Sequence, residues 1–320
     1  NLFSVKEIAV NVIPKTKVIP IGASIGMKLY TNGVLVVGMS EIEGTEPFKN
    51  SGIKEGDRIL EINNNKINNT NELINAINKS DGNNLNIKYI RGEDVETTSI
   101  KPVKNSKNEY KLGLWVRDAA AGVGTLTFYE PESGMFAALG HGIVDIDTSQ
   151  IINIANGELV TTNILSITKG EKGTPGEIRG TIENGYNLGN IYKNTGFGVF
   201  GSLTNLSPIN INKNEAIDVA VRNEIQLGKA EIICQLEDGK KEKYEIEIQK
   251  KFVNNNEDNK SMLIKITDNR LLEKTGGIIQ GMSGAPIIQN GKFVGAVTHV
   301  LVNDPTSGYA VFGDIMIKQL

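Results

Sequence analysis

The stretch IIQGMSGAPIIQNGKFVGAVTHV, residues 278 to 300, sets one serine, Ser283, between Gly281-Met282 and Gly284, then runs through Ala285 and Pro286 into an apolar strand pattern. Glycines around a hydroxyl let the backbone turn sharply and expose N–H groups beside the oxygen, which an acyl-transfer nucleophile requires. A glycine-flanked serine is also an ordinary tight turn. The rest of the chain has to decide between the two.

With 320 residues the chain is long enough for two domains with cores of their own. A composition 39% hydrophobic and 22% charged is that of a globular protein. The net charge of -3 provides no field for a polyanion, and no Lys/Arg block is interleaved with aromatics, so nucleic acid is not an expected partner. The single cysteine, Cys234, lies in the apolar run AEIICQL with no histidine near it in sequence, and reads as a buried thiol rather than a nucleophile. There is no HExxH pattern, no clustered ligand spacing and no Walker-type glycine loop, so neither metal nor nucleotide cofactor is expected. No apolar segment approaches the roughly 20 residues of a membrane helix, and the opening NLFSVKEIAV has no signal pattern. A start without methionine fits a trimmed or processed form from which an export signal or anchor has been removed.

Residues 1–19 read as an N-terminal segment and 20–103 as a small α+β unit. SIGMKLY and GVLVVGMS are short strand patterns; GIKEGDRILEINNNKI supplies a glycine turn, an aspartate and an apolar strand; NLNIKYIRG closes the unit. NNTNELINAINKS reads as a helix with Asn69 as N-cap, Glu72 three residues on, and Leu73, Ile74 and Ile77 on one face. The order, with Gly56-Asp57 ahead of the Arg58-Ile59-Leu60 strand, resembles a PDZ domain of the circularly permuted bacterial type. That resemblance implies a partner in the form of an extended peptide end. It would add to a sheet edge with its carboxylate held by a loop at Ile25, Gly26 and Met27.

Residues 101–110, KPVKNSKNEY, lack an apolar period and read as the linker into a second domain, 104–320. From Leu112 onward many short apolar runs alternate with glycine and asparagine turns, including GMFAALGHGIVD, TGFGVFGSL, AEIICQL and YEIEIQK. Strands at that spacing with little helical periodicity argue for an all-β barrel or sandwich. The fold expected for the whole chain is mainly β.

Only two histidines are present, His141 in ALGHGI and His299 in VTHV. Imidazole is the side chain best suited to take a proton from serine near neutral pH and return it to a leaving amine, so a serine mechanism has to use one of them. A strand ending at His141, a long β-rich interval and then GMSGAPII with its hairpin resembles a chymotrypsin-like serine peptidase. The resemblance implies Ser283 as nucleophile, Pro286 opening a strand, Gly291 in the turn, and Thr298, His299 and Val300 as the backbone that pairs with substrate. The oxyanion hole would be the N–H groups of Gly281 and Ser283.

WVRDAAAGVGTLTFY, ALGHGI and GMSGAPIIQNGKFVGAVTHVLVNDPTSGY, together with the PDZ-like unit, are similar to the sporulation stage IV protein B family of PDZ-containing serine peptidases. This resemblance implies His141 as general base and Asp268, in LIKITDNRLL, as the third member. It also implies export to the space between mother cell and forespore. The expected substrate there is a membrane-anchored regulator of an intramembrane protease whose release activates a late sigma factor. One residue departs from the family's usual GMSGSP: Ala285 stands where a second serine is common. The alternative expectation is a catalytically silent or latent PDZ-containing peptide-binding scaffold, in which Ser283 and His141 would not come together.

Overall fold

The structure, a computed structural model, describes residues 15–182, 185–253 and 258–320. Most of the expected N-terminal segment 1–19 lies outside the described residues.

Strand β1 (Lys17–Met39) is 23 residues long and determines the architecture. Its odd-numbered residues Ile19, Ile21, Ala23, Ile25, Met27 and Leu29 are all buried in one hydrophobic cluster, the two-residue period of a strand with one face on a core. Its far end changes partners: Val34 and Val36 belong to a different cluster. That second cluster is the core of the PDZ unit. It is built from β2 (Arg58–Ile62), β3 (Asn65–Lys66), α1 (Thr70–Lys79), β4 (Leu85–Arg91) and β5 (Asp94–Ile100). A small hairpin of β6 (Val103–Lys104) and β7 (Tyr110–Lys111) adjoins it. Asn69 caps α1 by accepting from the Glu72 N–H at 2.9 Å, as expected, and Leu73 and Ile77 are buried. Ile74 is 41% exposed and does not share that buried face.

Strand β8 (Leu114–Glu130) then runs antiparallel back along β1, from Met39↔Leu114 to Ile19↔Tyr129. With β9 (Met135–Ala138), β10 (Ile154–Thr161), β13 (Asn187–Thr195) and β14 (Gly198–Leu203) it forms a sheet that closes when β10 also pairs with β1. The result is a six-stranded barrel, flanked by a hairpin of β11 (Asn163–Thr168) and β12 (Glu177–Thr181). After β15 (Ile217–Asp218) a second closed barrel follows. Its strands are β16 (Gly228–Glu237), β17 (Lys240–Lys251), β18 (Met262–Ile266), β19 (Pro286–Gln289), β20 (Lys292–Leu301) and β21 (Asp304–Phe312). Helix α2 (Asn269–Thr275) lies between β18 and β19, and α3 (Gly313–Ile317) ends the chain. The second barrel is filled by buried Ile, Val, Phe and Met, each worth about 1.5–3 kcal/mol of burial. Cys234 is among them, and desolvation pushes its thiol up to about 12, as for a packed residue.

The expected mainly β fold with a PDZ-like α+β unit is therefore present, and the region expected to be an all-β barrel or sandwich forms two closed barrels. The packing does not divide at residues 20 and 103. The first half of β1 is bonded to barrel strands on both edges, so the PDZ unit is set between the first and second strands of the first barrel rather than ahead of it.

Candidate active site

The site lies in a cleft of about 710 Å³ whose lining comes from both barrels and includes His141, Gly281, Ser283, Thr298, His299 and Val300. The structure thus brings together the two histidines, the serine turn and the expected substrate strand.

On the serine side, Gly281 (φ 97°) and Gly284 (φ 96°) take left-handed conformations that favour glycine. A Cβ on Gly284 would clash with the Thr125 carbonyl and the Leu139 backbone, so glycine there lets the serine turn press against the strands leading to His141. Thr125 clamps the turn: its N–H donates to the Ser283 carbonyl at 3.1 Å and its hydroxyl to the Gly281 carbonyl at 2.7 Å. Thr125 was missed in the sequence, where only its place in a strand pattern marks it. Within the turn the N–H groups of Met282, Gly284 and Ala285 are taken by Ile279, Val297 and Met282 carbonyls. Those of Gly281 and Ser283, on either side of Met282, donate to no group among the described residues. Ala285 is fully buried in the second barrel's core, so position 285 does not face the cleft and Ser283 does.

On the histidine side, His141 follows β9 after a turn in which Leu139 and Gly140 both have φ 69°. Its Nδ1–H donates to the Gly142 carbonyl at 2.9 Å. A carbonyl only accepts, so this bond fixes the tautomer and leaves the lone pair on Nε2. Burial, partly opposed by that bond, holds the His141 pKa below the usual 6.5. Ser283 Oγ does not bond the imidazole; it donates to the Thr298 carbonyl at 2.9 Å. His299 sits beside His141, with ring centroids 5.1 Å apart and planes tilted by 37°. Desolvation, then repulsion from His141 and Lys260, pushes His299 down to about 4, with Asp258 acting the other way. Thr298–Val300 has one edge on β21, whereas the pairing of β20 with β19 stops at Ala296, so its other edge is unpaired among the described strands.

Two expectations are corrected. Asp268 is the N-cap of α2: Oδ1 accepts from the Arg270 N–H at 2.9 Å, and Oδ2 meets the Arg270 guanidinium at 2.8 Å and the Glu245 N–H at 3.3 Å. These bonds, the Arg270 side chain first, hold its pKa below the usual 3.8. The open N–H groups of the helix claim this carboxylate, and Asp268 does not line the cleft. The second correction is that Ile25, Gly26 and Met27 form no loop. They lie mid-strand with β8 on one edge and β10 on the other, and Ile25 and Met27 point into the first barrel. A groove of about 370 Å³ suited to a peptide lies instead between α1 and residues 112–116, lined by Leu73, Ile74, Ile77, Gly113, Leu114 and Trp115. The sequence signal for it was the glycine of KLGLW, just past the stretch read as a linker.

Asp145 and Asp147 lie in the loop after His141. Both pair with Arg117, and buried Asp145 accepts from the Asp147 and Thr148 N–H groups, which organises the loop after His141. Among the described residues no group of three or more His, Cys, Asp or Glu is placed to hold a metal.

The family model for SpoIVB peptidase S55 matches residues 108–317, and a PDZ domain model matches residues 21–101. A Clostridium perfringens protein named "Putative zinc metalloprotease CPE1693" is 25% identical over 112 residues, 32% of this chain and 33% of that protein. The chain thus spans about a third of that relative's length. Among solved structures, the PDZ domain of an SdrC-like protein from Listeria monocytogenes is 25% identical over 27% of this chain and 87% of that one, with a TM-score of 0.23. The inactive form of the protease Rv3671c, from M. tuberculosis, is 12% identical over 62% of this chain and 82% of that one, with a TM-score of 0.33. The peptidase model match spans well over half of the residues, and on that ground the chain belongs to the SpoIVB peptidase S55 family and also carries a PDZ domain.

Proposed function

We propose that Ser283 is the nucleophile and His141 the general base of an endopeptidase. His141 Nε2 takes the hydroxyl proton as Oγ attacks the peptide carbonyl, and the Gly281 and Ser283 N–H groups receive the developing oxyanion. The imidazolium then gives its proton to the leaving amine, and water resolves the acyl-enzyme by the same route. Thr298, His299 and Val300 align the substrate as an added strand. The Gly142 carbonyl, not a carboxylate, keeps the His141 tautomer. The observation that carries this reading is that His141 of the first barrel meets, in one cleft, Ser283 and the two unengaged amides of the serine turn of the second.

The cleft walls are mostly apolar, from Met27, Leu29, Val123, Ile278, Ile279 and Val302 among others, and suit an extended apolar segment. With family membership, this supports a membrane-anchored regulator as substrate, sporulation signalling as the setting and late sigma-factor activation as the outcome. It also supports a site of action outside the cytoplasm, between mother cell and forespore. Incubating the chain with such a regulator should give one main cut, absent with Ser283→Ala or His141→Ala. An uncut regulator would refute the substrate assignment, and a cut that persists with Ser283→Ala would refute the nucleophile.

A second reading is favoured by one bond. Ser283 Oγ rests on the Thr298 carbonyl, and β8 runs unbroken from the PDZ groove at Leu114–Val116 to the cleft wall at Ala120–Val123, so the enzyme is latent until a peptide end fills the groove. This reading requires cleavage to rise when a C-terminal peptide is added, and the rise to be lost with Ile74→Asp.

A further inference from the structure

The peptidase mechanism uses one imidazole, yet the cleft holds two. His141 comes from the first barrel and His299 from the second, with centroids 5.1 Å apart. His299 Nδ1 is buried with no hydrogen-bond partner, an atom that ordinarily has one. The Gly142 carbonyl accepts the His141 Nδ1–H and leaves Nε2 with an uncommitted lone pair. A backbone carbonyl on the far nitrogen is the arrangement that fixes the tautomer and raises the basicity of metal-binding histidines.

The separation suits a shared ion. Were each ring to turn one nitrogen to a common ion at metal–nitrogen bonds of about 2.0–2.1 Å, centroids 5.1 Å apart would subtend about 106°, close to the tetrahedral angle. Imidazole nitrogen is a good donor for zinc, copper and nickel, and a poor one for magnesium and calcium. Of the charges acting on His299, Lys260 opposes a cation and Asp258 favours it.

We propose that the cleft binds one divalent transition-metal ion, zinc as the type case, between His141 and His299, and that the ion switches the peptidase off by occupying the lone pair on His141. Water or Ser283 Oγ completes the coordination. With two protein imidazoles and no third His, Cys, Asp or Glu grouped with them among the described residues, the ion is held more weakly than at a four-ligand structural site, as suits a regulatory one. Binding depends on the two imidazoles alone; the inhibition rests on the proposed role of His141.

The test titrates the full chain with cobalt(II), then displaces it with zinc(II). One ion per chain is expected, with the visible bands of a low-coordinate nitrogen site, and His141→Ala and His299→Ala should each weaken binding at least tenfold. Circular dichroism checks that both variants fold, and His299→Gln replaces His299→Ala if it does not. In the unaltered chain zinc should slow labelling of Ser283 by a fluorophosphonate, and a chelator should restore it. Absence of binding, or equal affinity in all variants, overturns the metal site. Binding without slowed labelling overturns the switch. If no chain is labelled under any condition, the peptidase reading fails while the cobalt titration still decides the metal site.

Discussion

Ser283 Oγ donates to a carbonyl and not to an imidazole, so the proposed mechanism requires a rotation of the serine side chain before His141 takes the proton. Burial holds His141 below 6.5, which keeps the base form present as the solution is acidified. The acid limb of kcat/KM should therefore lie below pH 6.5, measured across pH 4–8. The same shifts affect stability with a definite sign. Both folded-state pKa values are depressed, so the unfolded chain takes up protons first as pH falls, and the histidine contribution is lost from about pH 6.5 down to about 4. Thermal unfolding at fixed ionic strength should show that loss, and it should shrink with His299→Gln. Asp268 offers the sharpest residue-scale contrast. As a helix cap, Asp268→Ala should cost about 0.5–2 kcal/mol of stability and Asp268→Asn much less. Neither should change kcat by more than about threefold, whereas removal of a triad carboxylate costs about 10⁴-fold.

At the scale of elements, the serine turn and the strand leading to His141 meet through Thr125. Thr125→Val keeps the shape but removes the hydroxyl bond to Gly281, and should lower kcat about tenfold to a hundredfold with little change in KM, as for a misplaced oxyanion donor. This contact could not be read from the sequence, because Thr125 in GVGTLTFY looks like any strand threonine and its partner is 156 residues away. The serine turn itself was legible, since GMSGAP needs glycine on both sides for local reasons. So was α1, whose cap and buried Leu73 and Ile77 follow from spacing within one short segment. Asp268 misled for the complementary reason: Asp-Asn-Arg before a leucine pair is a good helix start, and this local demand outweighed the chain order that pointed to a triad.

At the scale of the whole molecule, β1 belongs to the first barrel and to the PDZ unit at once. In sequence this strand reads as two short strand patterns of one small unit, and nothing local shows that the first of them, Ile25–Met27 included, packs in the first barrel. A chain of residues 104–320 alone lacks the strand that closes the first barrel, and should show neither native near-UV circular dichroism nor peptidase activity. Gly26→Trp should likewise unfold the protein rather than silence a peptide site, because even a Cβ there would clash with Ile182. The barrels matter to function because they bring Ser283 and His141 to one cleft, and the rate of Ser283 modification by a fluorophosphonate, in unaltered chain and His141→Ala, measures that coupling directly. The account predicts modification at Ser283 that slows about 10²–10⁴-fold without the imidazole. Equal rates in the two chains, or modification at another residue, would contradict it.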